Sequence, residues 1–535
     1  MQTVSSGWGN KISIGARHIG YGVLVAWMRT VASGQRFFTI NQSRIGGADI
    51  LKSGGDFVTF FDKYRFDDVT PFVTSISVQK NIGQYPYGVI MAQADVELDN
   101  TSKKFLPGYD TTVGSGTGLP NRPIKLSIGI EDEYMKLFTG FTTQPKATLN
   151  NRVVQMHAFD AFNFINGYRS TISGGFANAP FHNVVASGMA EMGFSSNQYV
   201  IDKSLQQNIG YLATNDKKWG DIFREGCEAE QAIMFADENG IIRFWNRQHF
   251  LTTSGTLRFQ LSYSKLSDLQ WQNTAIINDV IVRAKPRALQ DQQKVWENDS
   301  AIEIPGGSVD FDYFVSFTDD YGDLPVRAVS IPQSYTVASG VTSRFNANEF
   351  DDGTGRDMAS YLQIRSAYNF GNTYKLTFRN TFTSSIFLTQ LALYGTPARV
   401  TGVIEERIQD TTSIDAFGRN PSNNGEPITI ENDLIQDKST ARTLAYTLVS
   451  QYKSPGKRYI CPVVRQNDPA LQIGDAGVLH INDTNELKTV YITGITNVIQ
   501  RNGDYLQTLE VEERTIKKYF QINVSRIGGT DAIAP

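Results

Sequence analysis

Two cysteines and five histidines are all that 535 residues carry of the side chains that most often bind metals or attack substrates. Cys227 and Cys461 stand 234 positions apart and form no Cys-x-x-Cys pair. Neither a zinc site nor a disulfide framework is expected, and a reducing cytoplasm is the expected folding environment. The histidines, at 18, 157, 182, 249 and 480, sit in no motif, and no Gly-x-Ser-x-Gly elbow accompanies them. A nucleophile needs a base within reach, and the pattern offers none. His157, in an expected strand, and His182, near an expected helix start, read as packing or surface residues.

Long basic and long apolar runs are also missing. Net charge is −4, and no Lys/Arg stripe supplies the phosphate contacts on which nucleic-acid affinity rests. A chain that DNA merely passes suits this balance, because a basic lining would hold it. The one apolar run near the start, Ile19 to Met28, follows Lys11 and Arg17 and is broken or ended by Gly20, Gly22 and Arg29. It is far too short to span a bilayer and reads as a strand in a soluble protein rather than a signal peptide.

Three loop motifs suggest chemistry that their surroundings do not support. Gly114-Ser115-Gly116-Thr117-Gly118 lacks the Gly-Lys-Ser/Thr of a phosphate loop, and Pro120 follows where a helix should begin. Asp319-Asp320-Tyr321-Gly322-Asp323 clusters oxygens but has no twelve-residue calcium spacing, so a plain turn is the first reading and calcium the second. Glu131, Asp132, Glu133, Asp319, Asp320, Asp351 and Asp352 could supply the two carboxylates of a glycosidase. Acidic residues in Gly-rich loops are ordinarily just solvated. No catalytic residue, cofactor or metal is assigned, and the chain is not expected to be an enzyme.

What is abundant is strand chemistry. There are 46 Gly, 23 Tyr and 32 Phe, with many short stretches rich in Val, Ile and Thr, which favours strands joined by tight turns. Ala92, Ala94, Val96 and Leu98 alternate with Gln93, Asp95, Glu97 and Asp99. Ile124, Leu126, Ile128 and Ile130 alternate with polar or small residues. A period of two with one apolar face predicts half-buried strands of a barrel or sandwich.

The texture changes at 175–250. Phe181, Val184, Val185, Met189 and Met192 fall at helical spacing before Gly193, and a second helix carries Trp219, Ile222, Phe223 and Cys227. Asp237-Glu238-Asn239-Gly240 then turns a hairpin between Ala232–Phe235 and Ile241–Trp245. A module over about 300–400 alternates Tyr374, Leu376 and Phe378 with Lys375, Thr377 and Arg379, as a small sandwich would. Near the end, Ala441, Leu444, Ala445, Leu448, Val449 and Tyr452 share one helical face before Pro455. Strands follow at about 458–465, 475–481, 488–500 and 505–513.

The fold class expected is mainly β with α+β parts, and multidomain. The divisions are an N-terminal arm (1–50), a first tube-like barrel (51–170), an α+β middle domain with return strands (171–298), an inserted sandwich (299–400), a second barrel with one helix (401–518) and a C-terminal arm (519–535). The arms share a phrase. Ile-Asn-x-Ser-Arg-Ile-Gly-Gly-x-Asp occurs at 40–49 and again at 522–531, with eight identities in ten positions. Ile40, Ser43, Arg44, Ile45, Ile522, Ser525, Arg526 and Ile527 are therefore candidate assembly contacts, equivalent arms for equivalent neighbours.

Several phrases together resemble the hub proteins of phage tail tips and baseplates. They are Ala94-Asp-Val-Glu-Leu-Asp-Asn100, Arg122-Pro-Ile-Lys-Leu126, Leu137-Phe-Thr-Gly-Phe141, Trp219, Ala236-Asp-Glu-Asn-Gly240, Ile430-Glu-Asn-Asp-Leu-Ile435 and Leu471-Gln-Ile-Gly-Asp475. They run in order over roughly 35–290 and 400–520. The resemblance, to the tail-associated hub of siphophages and the trimeric hub of contractile-tailed phages, implies two barrels per subunit and six around a channel in a homotrimer. It implies a virion protein made in the host bacterial cytoplasm. Its implied partners are a distal tail protein or tube ring, a tape-measure protein and a tip fibre or spike protein, with DNA only in passage. The 300–400 module lies outside the minimal hub pattern, and similar inserts resemble carbohydrate-binding modules, so a host surface glycan is a further implied partner. A stand-alone carbohydrate-binding adhesin is the alternative, and a wall-degrading enzyme a more remote one. No collagen-like or coiled-coil repeat occurs, so a separate chain is expected to form the fibre.

The acidic face of Asp95, Glu97 and Asp99 has two readings in such a hub. It either lines the lumen, where it would repel DNA, or forms an outer solvated wall. Glu510 and Glu512 would be its counterpart in the second barrel.

Overall fold

The structure is a computed structural model that describes residues 19–29, 64–82, 87–105, 121–130, 133–147, 152–172, 175–206, 208–214, 217–248, 257–262, 265–319, 322–331, 335–336, 342–463, 467–481 and 486–513. Both repeated arm segments, including Ile40, Ser43, Arg44, Ile45, Ile522, Ser525, Arg526 and Ile527, lie outside these residues, as do the glycine loop at 114–118 and Asp320. Strands dominate, in several sheets with few helices, so the fold is mainly β and multidomain in organisation.

The largest sheet has fourteen strands. In its first half Val73–Asn81, Gln93–Asp99, Val153–Phe159, Glu133–Thr142, Arg122–Ile130, Ile19–Arg29 and Tyr64–Asp68 lie side by side in that order. Every adjacent pair is antiparallel. The alternation read from the sequence decides which face is covered. Ala94, Val96 and Leu98 are buried with Ile124, Leu126, Ile128, Val154 and Met156 in one core, while Asp95 faces water. Each such Val, Leu or Ile contributes roughly 1.5–3 kcal/mol when fully covered.

The strand regions expected as two barrels are joined edge to edge. Val73–Asn81 pairs with Gln93–Asp99 on one side and Glu486–Gln500 on the other, running from Ser75 opposite Gln500 to Asn81 opposite Gly494. The length of Glu486–Gln500 makes this possible. One edge pairs with Tyr505–Glu513 over most of its length. The opposite edge is shared: its first residues take Ala476–Ile481 and its last take Val73–Asn81. Lys457–Val463 and Gln270–Asn273 then extend the sheet. The packing is joined too, because Ala470, Ile499 and Tyr505 belong to the core of the first half.

The helices and hairpin of the middle section form where the periodicity predicted them, at Phe181–Glu191, Trp219–Glu230, Ile233–Ala236 and Ile242–Trp245. The two helices fit through paired small residues. A Cβ on Gly188 would stand 2.7 Å from the Trp219 ring, and one on Gly226 only 1.8 Å from Phe181. The helix Lys438–Tyr452, capped by Asp437, which accepts from the Thr440 N–H at 2.8 Å, was expected beside the last strands. It packs instead into this middle core, with Val280, Val282 and Ile222. Its apolar face matches the sheet of Asp279–Ala284, Ile404–Gln409 and Ile428–Glu431.

The module after residue 284 is entered and left at one point. Asp279–Ala284 and Ile404–Gln409 pair antiparallel with Ala284 opposite Ile404. Between them, small antiparallel sheets share a core that includes Phe317, Leu376, Phe378, Leu388 and Leu393.

Candidate functional site

The continuous sheet brings together acidic residues that are over four hundred positions apart. Register places Asp95 beside Ser77 and His157, and Glu97 beside Ser75 and Gln155. The same face continues through Asn81 and Gly494 to Glu510. Asp95, Glu97, Asp99 and Glu510 therefore share one water-facing side of one sheet, opposite the buried alternates.

Each carboxylate on this face has a fixed partner. Asp95 Oδ1 lies 2.5 Å from His157 Nδ1. Glu97 accepts from Ser75 Oγ at 3.1 Å and from Gln155 Nε2 at 3.3 Å. Hydrogen bonds from the Thr101 hydroxyl and amide hold the Asp99 carboxyl below its usual range, with Arg501 3.6 Å away. Glu510 accepts from Asn81 Nδ2 at 2.9 Å and from Arg458 at 2.8 Å. Neutral donors thus orient Glu97, and cations compensate Asp99 and Glu510. Glu512 shares the parity of Glu510 but is buried, beside a cavity of about 310 Å³ lined also by Gln272, Asn273, Thr274, Ala275, Tyr452 and Arg458. It does not join the exposed row.

Beneath the sheet lies a polar junction that sequence reading missed. Lys80 Nζ reaches Glu238 Oε1 at 2.7 Å, with both side chains only 9% exposed. Glu238 also accepts from Gln472, and its carbonyl accepts from Thr139 Oγ1 at 2.8 Å. Three separate parts of the chain, the two halves of the large sheet and the middle hairpin, are tied here. A signal existed. Ile76, Val78 and Lys80 fall on the same, inward parity, so Lys80 breaks an apolar stripe. Nearby, Asp160 accepts from the Ala92 and Phe162 amides at 2.7 and 2.9 Å, and burial pushes its carboxyl up to about 7.

Other candidates do not form sites. Cys227 and Cys461 are buried and unpaired, and burial raises both thiols, Cys461 to about 12. His182 Nδ1 accepts from the Ser204 amide at 3.1 Å, a structural contact. Asp351 and Asp352 are exposed in a turn, where Asp352 accepts from Thr354. Among the described residues no three His, Cys, Asp or Glu side chains are placed to hold a metal, and no helix is long and apolar enough to cross a membrane.

No family model matches the chain, and no curated protein matches it. Among solved structures it is similar to the 43 kDa tail protein of prophage MuSo2 from Shewanella oneidensis, at 9% identity and a TM-score of 0.44, over 84% of this chain and 95% of that one. It is similar to the tail protein from Neisseria meningitidis MC58 at 8% identity and a TM-score of 0.44, over 92% and 97% of the two chains. It is also similar to prophage tail protein gp18 from Listeria monocytogenes EGD-e, at 10% identity and a TM-score of 0.37, over 84% and 92%. All three of those structures are described as tail proteins.

Proposed function

We propose that this chain is a structural hub of a bacteriophage tail tip, a homotrimer that adapts the sixfold tail tube to a threefold tip and surrounds the path of DNA. The observation that carries the reading is the pairing of Ser75–Asn81 with Gly494–Gln500. It makes two distant strand regions one sheet with one polar face, the element that a subunit contributing two tube segments requires. Three such subunits closing under cyclic symmetry present six segments to a sixfold ring.

In this reading the row of Asp95, Glu97, Asp99 and Glu510 faces the channel, where the carboxylates that Arg501 and Arg458 do not compensate, Asp95 and Glu97, keep DNA from adhering. The repeated arms at 40–49 and 522–531 grip neighbouring subunits. The upper face meets the distal tail protein or tube ring, and the lower face the tape-measure and tip proteins. The role is binding and assembly, not catalysis.

Light scattering of the purified protein tests the reading, followed by class averages in negative stain. The expected mass is about 180 kDa, three times the 59.5 kDa chain, with a central opening. A monomer both free and in the presence of tail tubes would overturn it.

A further inference from the structure

The module between Ala284 and Ile404 is a body with a core of its own. Its buried apolar residues, from Ile304 to Leu393, pack against one another, while the middle core takes in Ala284 and Ile404 but no described residue between them. The neck that joins the two is one pair of strands wide. Ala284 stands opposite Ile404 and Arg287 opposite Val400, and between these pairs Thr401 N donates to the Pro286 carbonyl at 2.9 Å. Gly402 lies in this neck at φ +155°, a conformation that other residues rarely adopt, with nothing within 4 Å of where a Cβ would sit. Pro286 and Gly402 therefore mark a place where the chain has room to turn.

One apolar contact beyond the neck fixes the angle. Among the described residues, the buried cluster that spans the boundary is Tyr211 and Ala213 of the middle section with Ala398 of the module. Tyr211 is only 1% exposed, and burial pushes its hydroxyl up to about 12, although Arg327 of the module pulls the other way. The backbone around the ring is held on the middle side. Gln436 Oε1 accepts from the Tyr211 amide at 3.0 Å, and Gln436 Nε2 donates to the Tyr211 carbonyl at 2.7 Å. A Cβ on Gly371 of the module would stand 3.3 Å from the Ala213 Cβ, and one on Gly210 only 3.0 Å from the Arg287 carbonyl oxygen.

Size decides whether such a contact welds two bodies or latches them. Domains of one chain move relative to each other unless the interface between them is large and apolar. Here the apolar contact amounts to one ring, two alanines and the backbone of a glycine turn. The described ion pairs across the boundary, Lys285 with Glu431 at 2.6 Å and Arg287 with Asp433 at 3.4 Å, sit beside the neck, where rotation moves them least. Turning about Gly402 unseats Tyr211 and leaves both cores whole.

We propose that the module is a hinged body, latched to the middle section by the Tyr211 ring against Ala398 and free to swing about Pro286 and Gly402 once that ring is unseated. The swing turns every surface of the module relative to the large sheet without unfolding either. It is a property of a single chain and does not depend on the hub reading, so the two can fail separately.

Single-molecule energy transfer in the full chain tests the hinge. Cys227 and Cys461 are buried, so Asp351→Cys in the module and Arg224→Cys in the middle section, both at exposed positions, take the dye pair. Labelled chains are diluted into excess unlabelled protein, so that each assembly reports on one module. The parent and Tyr211→Phe, which keeps the ring, are expected to give one narrow peak. Tyr211→Ala is expected to broaden that peak or add a second at a different efficiency. Ala213→Glu, which wedges the same contact open from the other residue, should do the same. Circular dichroism should show the parent's strand signal in both variants. The proposal is overturned if the parent peak is already broad, or if both folded variants stay as narrow as the parent. Loss of the strand signal in both variants would overturn it too, since the ring would then be core and not a latch.

Discussion

The ring of Phe181 rests on Gly226, so closely that any side chain on Gly226 would enter it. Gly226→Ala should therefore destabilise the middle section by about 1–3 kcal/mol through overpacking. Thermal melting measures the loss, and Phe181→Leu in the same chain should restore part of it. An Ala variant as stable as the parent would show that the helices separate at little cost.

Lys80 and Glu238 form a buried pair whose members belong to different parts of the fold. Removing one leaves the other charged and covered, so Lys80→Met should cost about 3–5 kcal/mol in denaturant unfolding. The Lys80→Met/Glu238→Met double variant should lose less than the sum of the two single changes. Additive losses would mean the pair is not coupled.

Asp160 makes stability depend on pH in the less common direction. Its folded carboxyl lies near 7, against an ordinary value of 3.8, so between these limits the folded chain holds a proton that the unfolded chain has released. The group's contribution is full below about pH 4 and declines as pH rises towards 7. The melting temperature of the parent relative to Asp160→Asn should fall across that window. A difference that does not change with pH would reject this assignment.

The acidic face can be tested by reversing it. Asp95→Lys with Glu97→Lys leaves the inward residues of the strand untouched, so assembly should persist. The purified variant should retard duplex DNA in a gel at low salt and lose that ability at high salt, as screening weakens the contact. Tails carrying it should release DNA more slowly. Unchanged release would reject the proposal that this row faces DNA.

Deleting 520–535 removes one copy of the repeated phrase. Light scattering should then show a smaller trimer fraction than in the full chain. An intact trimer with normal tail attachment would sink the arm hypothesis.

Local order was legible where the chain repeats itself over short distances. Alternation at 92–98 and 124–130, the helical stripe from Ala441 to Tyr452 and the Asn239-Gly240 turn each state their geometry within a dozen residues. Strand partnership is different. Nothing in Ser75–Asn81 names Gly494–Gln500, because backbone edges pair through groups that every residue carries. Lys80 could have been flagged from parity alone. Glu238 could not, since a charged residue in a tight turn normally faces solvent.

Ala284 and Ile404 stand opposite each other in a ladder, which brings their Cα atoms to about 4.5–5.5 Å. A chain that departs and returns through so narrow a doorway closes its own ladder before the module begins. Loop closure costs grow only slowly with length, so a short turn or a module of another shape could occupy the same threshold. The module is thus held to its frame by this doorway and by one small packed contact, where Ala398 meets Tyr211 and Ala213, and a replacement would have to cover only those side chains.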